Sequence, residues 1–283
     1  MATATHTMQG KVCLITGANS GIGKATALGL ASLGATVVLV CRDKHRGEAA
    51  QAEIKAQSGN ESVDLLLVDL ASQASIRQLA TEVKARYPHL HVLLNNAGVM
   101  PSHRTLTADG LEVNFAINHL GPFLLTNLLL DTLKASAPSR IVFVASQVVS
   151  ALDFDDLQSE QRFGMNSTYG KSKLCNILVT QELAKRLEGT GVTVNCLHPG
   201  LVSTNLSHDW STPLRVVYRF VGMRPAKGAQ TAIYLASSPE VEGITGKYFK
   251  KQRPAPVPRL AQDEATTQRL WQVSEEMTQP GSH

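Results

Sequence analysis

The sequence predicts a doubly wound α/β fold, in which helices cover both faces of a mainly parallel β-sheet. Short runs rich in β-branched residues alternate with longer stretches of helical periodicity along most of the 283 residues. The runs at 12–15, 37–40 and 141–144 are continuously apolar rather than alternating, which is typical of strands buried on both faces. Repeated strand–helix–strand units with right-handed crossovers then give a parallel sheet.

Seven strands are predicted, with the order 3-2-1-4-5-6-7 in the sheet. They are residues 11–16, 36–41, 62–68, 92–94, 140–145, 193–197 and 247–249. Because no Pro/Ser-rich linker divides the chain, residues 1–283 are expected to form a single domain. Three interruptions are interpreted as an active-site loop at 147–167, a lid at 201–226 and a surface-docked C-terminal tail at 250–283. The alternatives for the lid are a surface helix packed on the body and a helix that touches a membrane.

The composition is that of an ordinary globular protein and argues against several classes of function. Hydrophobic residues make up 43% and charged residues 18% of the chain, and the net charge of +4 is too small for a nucleic-acid surface. The four cysteines lie far apart, without the paired spacing of a zinc site, so no metal is expected. We expect no signal peptide and no integral membrane segment, and we predict a cytoplasmic location.

A glycine-rich stretch follows the first predicted strand and opens a helix. Glycine allows a tight turn and close backbone approach, and a helix N-terminus offers free N–H groups and a positive dipole end to a phosphate. This position predicts a site for a dinucleotide pyrophosphate, although the Gly-x3-Gly-x-Gly spacing differs from the more common Gly-x-Gly-x2-Gly fingerprint. The residues expected to bind are Gly17, Asn19, Ser20, Gly21, Ile22 and Gly23.

The tip of the second strand indicates which dinucleotide binds. An acid at this tip would accept a hydrogen bond from the ribose 2′-hydroxyl of NAD, but here Cys41 is followed by Arg42 and Arg46. Two guanidinium groups can hold a 2′-phosphate with charge-assisted hydrogen bonds, which favours NADP(H) over NAD(H). Asp43 keeps the NAD alternative open, and a solvated charged turn is the other alternative.

Residues at the ends of later strands complete the expected cofactor site, because ligands of open α/β sheets bind beyond the carboxyl ends of the strands. They are Asp69, Leu70, Asn96, Ala97, Gly98, Pro199, Gly200, Val202 and Thr204. Asp69 is expected to accept a hydrogen bond from the adenine amino group, with a turn acid as the alternative. Residues 199–204 are expected to hold the nicotinamide carboxamide, whereas His198 is interpreted as structural because no carboxylate partner is evident.

Tyr169 and Lys173 are the candidate catalytic pair, because a spacing of four puts them on one face of a helix that ends near residue 186. Carbonyl reduction needs an acid that is protonated yet ready to ionise near neutral pH. A free phenol titrates near about 10, and a neighbouring ammonium lowers that pKa towards neutrality. Lys173 is also expected to bind the nicotinamide ribose hydroxyls.

Two further residues are assigned to the catalytic end. Ser146, at the end of the fifth strand, is expected to hold the substrate oxygen beside Tyr169. Asn118, which opens the long apolar helix before that strand, is expected to fix a water and backbone groups that supply protons through Lys173. Lys171 is interpreted as a solvated neighbour.

As a set, these motifs resemble the short-chain dehydrogenase/reductase family in order and spacing over about residues 8–250. The resemblance implies a Rossmann-type fold and supports the roles given above. Residues 41–43, 117–123, 246–249 and 269–271 are similar to the retinol dehydrogenase-like branch, whose members act on retinoids, sterols and other lipophilic or aromatic carbonyls with NADP(H). The chain departs from that branch in having no expected N-terminal membrane anchor and in having Ala145 in place of the usual serine.

The sequence therefore predicts an NADP(H)-dependent oxidoreductase for a lipophilic or aromatic alcohol, ketone or aldehyde. The alternative from another class is a cofactor-binding sensor or scaffold that does not turn over. The intact Ser146, Tyr169 and Lys173 favour the enzyme. The resemblance also implies a homodimer or homotetramer.

Overall fold

Eight strands form one sheet in the order β3-β2-β1-β4-β5-β6-β7-β8 in the computed structural model, which describes residues 8–201 and 223–280. The strands are β1 (Val12–Thr16), β2 (Thr36–Cys41), β3 (Val63–Leu67), β4 (Val92–Asn95), β5 (Ser139–Val144), β6 (Val192–His198), β7 (Tyr248–Lys250) and β8 (Arg253–Ala255). The first seven pair in parallel. The predicted fold class and the order of its seven strands are confirmed.

Helices connect these strands and cover the sheet. They are α1 (Gly21–Ser32), α2 (Lys44–Ser58), α3 (Gln73–Arg86), α4 (Val113–Phe115), α5 (Gly121–Ala135), α6 (Met165–Arg186), α7 (Pro225–Ser237) and α8 (Glu264–Met277). A π-helical segment, Ala116–Leu120, joins α4 to α5, and single 3-10 turns lie at Pro239–Val241 and Arg259–Ala261. Asn118 therefore lies inside a π-helical segment rather than at the start of α5.

The alternation of side chains along each strand supplies two hydrophobic cores, one on each face of the sheet. Cys13 and Ile15 of β1 face a core built with α1, α2 and α7, whereas Leu14 faces the core built with α3, α5, α6 and α8. All three side chains are fully buried. Burial on both faces explains why the central strands are continuously apolar in sequence.

The chain after residue 250 departs from the predicted surface tail. β8 pairs antiparallel with β7, with Phe249 opposite Pro254, and α8 buries Leu270 and Trp271 in the core that also contains α6. The sequence pattern missed β8 because it is three residues long and contains a proline. Proline, which lacks the N–H needed by an inner strand, is tolerated here because β8 is the edge strand.

One helical stretch, Val113–Ala135, is long and apolar enough to match a membrane span by length and composition. Within the described residues, 72% of its apolar window is buried inside the protein. Core helices of soluble proteins meet the same two criteria, so the stretch is weak evidence for a span.

Truncation of a central strand residue should cost far more stability than the same change at the edge. Leu93 of β4 is fully buried between β1 and β5, whereas Leu67 of β3 is 45% exposed. We expect Leu93→Ala to lower the free energy of unfolding by about 2–5 kcal/mol, because it leaves a cavity in the core. Leu67→Ala should cost less than about 1 kcal/mol. Urea unfolding of both variants tests this, and equal losses would contradict it.

Candidate active site

An open cleft of about 650 Å³ lies at the carboxyl ends of the parallel strands. The predicted cofactor residues that line it are Gly17, Asn19, Ser20, Gly21, Ile22, Arg42, Arg46, Asp69, Leu70, Asn96, Ala97, Gly98, Tyr169, Lys173, Pro199 and Gly200. Gly23 is buried beneath this surface. Val202, Thr204 and most of the predicted lid at 201–226 lie outside the described residues.

Two glycines in the β1–α1 turn are required by close packing against the end of β4. A Cβ atom on Gly17, whose φ is +67°, would lie 2.9 Å from the Cα of Ala97. A Cβ atom on Gly23 would lie 2.4 Å from both the side-chain nitrogen of Asn96 and the carbonyl oxygen of Gly17. Both distances are far below van der Waals contact, so the turn can take this shape only with glycine at these positions.

Hydrogen bonds lock this turn to the end of β4. The Asn96 side-chain amide donates to the carbonyl of Thr16 at 2.8 Å. The buried Thr16 hydroxyl in turn accepts from the backbone N–H groups of Asn96 at 3.0 Å and Ala97 at 3.1 Å. The next helix, α1, begins after Ser20, whose side chain forms no capping hydrogen bond. The N-terminus of α1 therefore faces the cleft with its first N–H groups uncapped by that side chain.

The turn after β2 places two guanidinium groups at the rim of the cleft. Arg42 and Arg46 are both exposed and both line it. Asp43, the acid that kept the NAD alternative open, caps α2: its carboxylate accepts from the backbone N–H of Arg46 at 3.0 Å. A carboxylate used as a helix cap has one fewer lone-pair direction to offer a ribose hydroxyl.

Asp69 follows β3 and shapes its own turn. Its carboxylate accepts from the backbone N–H of Ala71 at 3.0 Å, and its own N–H donates to the Ser75 hydroxyl at 3.0 Å. The contact with Ala71 is the one expected if Asp69 acts as a turn acid. Asp69 and Leu70 nevertheless line the cleft, so a carboxylate oxygen can also face a ligand.

Tyr169 and Lys173 lie in the first half of α6, which begins four residues before Tyr169. The Lys173 ammonium lies 5.6 Å from the centroid of the Tyr169 ring and donates to the Val144 carbonyl at 2.9 Å. Lys173 is only 3% exposed, and this burial lowers its pKa to about 8. Tyr169 is half-buried on the cleft surface. The helix thus holds a phenol and a buried amine close together at the cleft.

Asn118 lies behind the cleft and ties the π-helical segment to the loop after β4. Its side-chain oxygen accepts from the Val99 N–H at 2.8 Å, and its amide donates to the Val99 carbonyl at 2.9 Å and the Ser172 hydroxyl at 3.0 Å. A Cβ atom on Gly98 would lie 3.4 Å from both this oxygen and the Lys173 ammonium. Asn118 therefore fixes backbone groups beside Lys173.

Ser146 lies two residues beyond β5 and is 7% exposed, and it does not line the described part of the cleft. Its hydroxyl oxygen accepts from the Val148 N–H at 3.0 Å, which leaves the hydroxyl hydrogen to be donated elsewhere. Its carbonyl accepts from the buried Tyr248 hydroxyl at 3.1 Å. These bonds hold the serine in place at the strand end.

Lys171 is not the solvated neighbour that the sequence suggested. Its ammonium donates to the Asp156 carbonyl at 3.1 Å and to the Ser159 hydroxyl at 3.4 Å. The Asp156 carboxylate accepts three further backbone N–H groups of the same loop, from Glu160, Gln161 and Arg162. Lys171 thus fastens the loop between β5 and α6 to α6 itself. Sequence spacing cannot show this because the loop has no periodicity.

His198 has the structural contacts expected of it. Its Nδ1 accepts from the Gln147 N–H at 3.2 Å, which links the end of β6 to the segment after Ser146. Burial, and next the neighbouring Lys250, lower its pKa to about 4, so the ring is neutral at physiological pH. Pro199 and Gly200 follow it and line the cleft.

The cleft also contains residues that were not selected as site residues from the sequence. They are Val40, Cys41, Asp43, Lys44, His45, Val68, Val99, Ile117, Val144 and Ala145. Most of them directly precede or follow a predicted site residue, and that adjacency was the available signal. The hydrogen bond from Lys173 to the Val144 carbonyl could not be predicted in this way, because every residue of β5 has a backbone carbonyl.

Comparison with known proteins gives the family. A model of the family described as short chain dehydrogenase matches residues 11–214, which include the glycine-rich turn, Ser146, Tyr169 and Lys173. The chain belongs to the short-chain dehydrogenase/reductase family. The family assignment supports an oxidoreductase that acts on alcohol and carbonyl groups and uses a nicotinamide dinucleotide.

Similar relatives and solved structures agree with this assignment. Retinol dehydrogenase 14 of Mus musculus is 48% identical, with 95% of this chain and 86% of the relative covered. Retinol dehydrogenase 13 of Homo sapiens is 44% identical, with 95% and 84% covered. Among solved structures, an uncharacterised protein from Mycobacterium paratuberculosis has a TM-score of 0.79 at 32% identity, with 96% and 94% covered. The Pseudomonas aeruginosa RhlG/NADP active-site complex has a TM-score of 0.70 at 26% identity, with 87% and 96% covered.

The cytoplasmic location predicted from the sequence is wrong. The relatives named above belong to the retinol dehydrogenases 11–14, which are membrane-associated enzymes. The prediction was based on the absence of a leader or long apolar segment from the sequence pattern. Such an absence does not determine where a protein of this family resides.

Removal of the buried Lys173 ammonium should stabilise the cofactor-free protein. A pKa lowered from 10.5 to about 8 means that burying the charge is unfavourable by about 3 kcal/mol at pH 7. We expect Lys173→Met to raise the free energy of unfolding by about 1–3 kcal/mol at pH 7, since the lost bond to Val144 offsets part of the gain. Urea unfolding of the cofactor-free protein measures this.

The same gain should depend on pH with a defined sign. Between pH 8 and 10.5 the folded wild type releases the Lys173 proton while the unfolded chain still binds it, so wild-type stability rises with pH. The advantage of Lys173→Met is therefore largest below about pH 8 and disappears towards pH 10.5. Lys171→Met, which removes bonds to the loop instead, should destabilise. A destabilised Lys173→Met at pH 7 would contradict the prediction.

Proposed function

We propose that this chain transfers a hydride between NADP(H) and a lipophilic or aromatic alcohol, ketone or aldehyde, with Tyr169 donating and accepting the proton. The observation that carries the proposal is the buried Lys173 ammonium, 5.6 Å from the Tyr169 ring, in the cleft bordered by the glycine-rich turn. Burying an amine costs free energy, and residues with such perturbed pKa values are concentrated at functional sites. Lowering the pKa of the Tyr169 phenol is a function that Lys173 can perform.

The β1–α1 turn would hold the pyrophosphate of the cofactor. Gly17 and Gly23 have no Cβ atom where the turn packs against Asn96 and Ala97, and the N-terminus of α1 offers N–H groups that Ser20 does not cap. Asn19, Gly21 and Ile22 border the same part of the cleft. These features fit a phosphate group, because free N–H donors and a positive helix dipole favour an anion.

Arg42 and Arg46 would bind the 2′-phosphate that distinguishes NADP(H) from NAD(H). Both are exposed at the cleft rim, and Asp43 is turned to cap α2. RhlG, a solved structure of the same fold, has a complex with NADP. Two guanidinium groups and one occupied carboxylate favour a phosphate over a hydroxyl at this position.

The remaining cleft residues would hold the adenine and the nicotinamide. Asp69 and Leu70 would border the adenine, and Lys173 would bind the nicotinamide ribose hydroxyls. The residues proposed for the nicotinamide end are Asn96, Ala97, Gly98, Pro199, Gly200, Val202 and Thr204. When bound, the nicotinamide supplies or accepts the hydride.

The chain's own residues would manage the proton. In the direction of reduction, the Tyr169 hydroxyl donates its proton to the substrate oxygen as that oxygen gains electrons, and in oxidation it takes the proton back. The Lys173 ammonium stabilises the phenolate that remains. The Ser146 hydroxyl, which follows the cleft residue Ala145 and accepts from the Val148 N–H, would donate its hydrogen to the same substrate oxygen. Asn118 holds the Val99 backbone beside Lys173.

The lining around Tyr169 supports a lipophilic substrate. The apolar residues Val99, Ile117, Val144 and Ala145 line the cleft. Relatives named retinol dehydrogenase 13 and 14 have a lipophilic alcohol in their names, which supports the same substrate class here. Small and branched apolar groups bury hydrocarbon favourably and offer no hydrogen bonds to a sugar or acid.

Substitution of Tyr169 tests the proton transfer. Tyr169→Phe removes the hydroxyl alone, so we expect kcat to fall by about 10²-fold or more while the Kd for NADPH changes by less than about threefold. NADPH oxidation with a panel of hydrophobic and aromatic carbonyls measures turnover, and fluorescence titration measures binding. Tyr234→Phe is the matched control, because it removes an α7 hydroxyl that donates to Glu240 of the following 3-10 turn. Wild-type kcat in Tyr169→Phe would overturn the role, and tight binding with no wild-type turnover would favour a sensor.

Substitution of the two arginines tests the cofactor preference. The double variant Arg42→Ala/Arg46→Ala should raise the Kd for NADPH by about 10²-fold, because two charge-assisted bonds to the 2′-phosphate are lost. The Kd for NADH should change by less than about threefold, since NADH has no 2′-phosphate. Titration of wild type and variant with both cofactors measures the ratio. An equal loss for NADPH and NADH would contradict the assignment.

A further inference from the structure

The C-terminal helix α8 packs against α5 and against α6, which carries Tyr169 and Lys173, although α8 lies beyond the residues matched by the family model. The ring of its Trp271 packs edge to face against Phe123 of α5, with centroids 4.9 Å apart. The guanidinium of Arg186 on α6 lies over the same Trp271 ring, 4.1 Å from its centroid. Trp271 is 3% exposed. α8 is therefore part of the core that supports the π-helical segment and α6.

One buried polar bond joins α8 to the π-helical segment. Nε2 of His119 lies 2.7 Å from the Ser274 hydroxyl, and both residues are almost fully buried. Burial lowers the pKa of His119 to about 3, so the ring is neutral. The Ser274 hydroxyl donates its single hydrogen to the Leu270 carbonyl at 2.7 Å. It must therefore accept from His119, which fixes the imidazole hydrogen on Nε2.

This bond is formed by the residue next to Asn118. π-Helical turns are rare and frequently occur at functional sites. Here Asn118 is held on one side by Val99 and Ser172, and His119 is held on the other by Ser274. The rings of Phe115 and Phe123 flank the His119 ring, with centroids 5.0 and 6.1 Å away. Among the described residues, Ser274 is the polar partner of this imidazole.

We propose that His119 and Ser274 are positioning residues, whose hydrogen bond holds the π-helical turn that sets Asn118 and the Val99 backbone beside Lys173. The apolar packing of α8 supplies stability, whereas this directional bond sets the register of the turn. This inference rests on the proposed function wherever its effect is measured as a change in kcat.

Ser274→Ala is the direct test. It removes the acceptor and leaves the rest of α8 in place, so we expect kcat to fall about tenfold while the substrate KM and the Kd for NADPH change less than about twofold. Thr267→Val is the matched control, since this buried hydroxyl on the same helix donates to the Asp263 carbonyl within α8's own first turn. It should leave kcat within about twofold of wild type.

A double variant separates positioning from a general loss of stability. Ser274→Ala leaves a buried imidazole N–H without a partner, whereas Ser274→Ala/His119→Leu removes both polar groups and should regain most of the lost thermal stability. Under the proposal, kcat of the double variant stays about tenfold low, because the directional bond is still missing. A kcat that returns with stability, or a wild-type kcat in Ser274→Ala, would overturn the proposal.

Amide hydrogen exchange provides a readout that needs no turnover. The Val99 N–H is bonded to Asn118, so its exchange should accelerate about tenfold in Ser274→Ala and remain slow in Thr267→Val. If wild type reduces no carbonyl but this change occurs, the proposed function fails and the positioning inference stands. If wild type is active and Val99 exchange is unchanged in Ser274→Ala, the inference fails alone.

Discussion

The site depends on keeping one ammonium group, that of Lys173, buried at the meeting point of β5, α6 and the loop after β4. Burial of this charge is unfavourable because it removes the ammonium from water, as the lowered pKa of Lys173 shows. A hydrogen bond that the ammonium donates to the Val144 carbonyl offsets part of this cost. The surrounding structure must supply the rest of the constraint. Asn118 and Gly98 border the same ammonium, so three segments that are distant in sequence converge on it. A buried charge with this desolvation cost is typical of a functional centre rather than of a stabilising core.

The parallel sheet makes this convergence possible. Because parallel strands all end at the same edge, the turn after β1, the tip of β2 and the ends of β3 to β6 border one cleft. Rigid side-chain bonds then hold the edge in shape: Asn96 and Thr16 join two of these ends, and His198 joins a third to the segment after Ser146. A rigid rim of this kind can be preorganised for a dinucleotide at little entropic cost on binding.

Outside the cleft, polar bonds link other segments to α6 and to the π-helical segment. Lys171 fastens the loop between β5 and α6, while Ser274 reaches the π-helical segment from α8. Arg269 of α8 also stacks on Phe154 of that loop at 4.3 Å. The C-terminal helix therefore contacts the loop between β5 and α6 as well as α5 and α6 themselves. A chain segment beyond the family match has become part of the support for the site.

The sequence by itself predicted the strands, the glycine-rich turn and a helix that carries Tyr169 and Lys173 four residues apart, because these follow from local periodicity and short-range spacing. The order of the first seven strands followed from the fold class that this alternation predicts. Tertiary structure alone decided the contacts of Lys171, the π-helical setting of Asn118 and the packing of α8. It also decided that the Val144 carbonyl accepts the hydrogen bond of the Lys173 ammonium. These features depend on partners that are far apart in the chain or belong to the backbone. A short edge strand with a proline, β8, falls in the same class, since only its neighbour β7 makes it a strand. Local pattern specifies which elements form, whereas long-range contacts specify what each buried polar group meets.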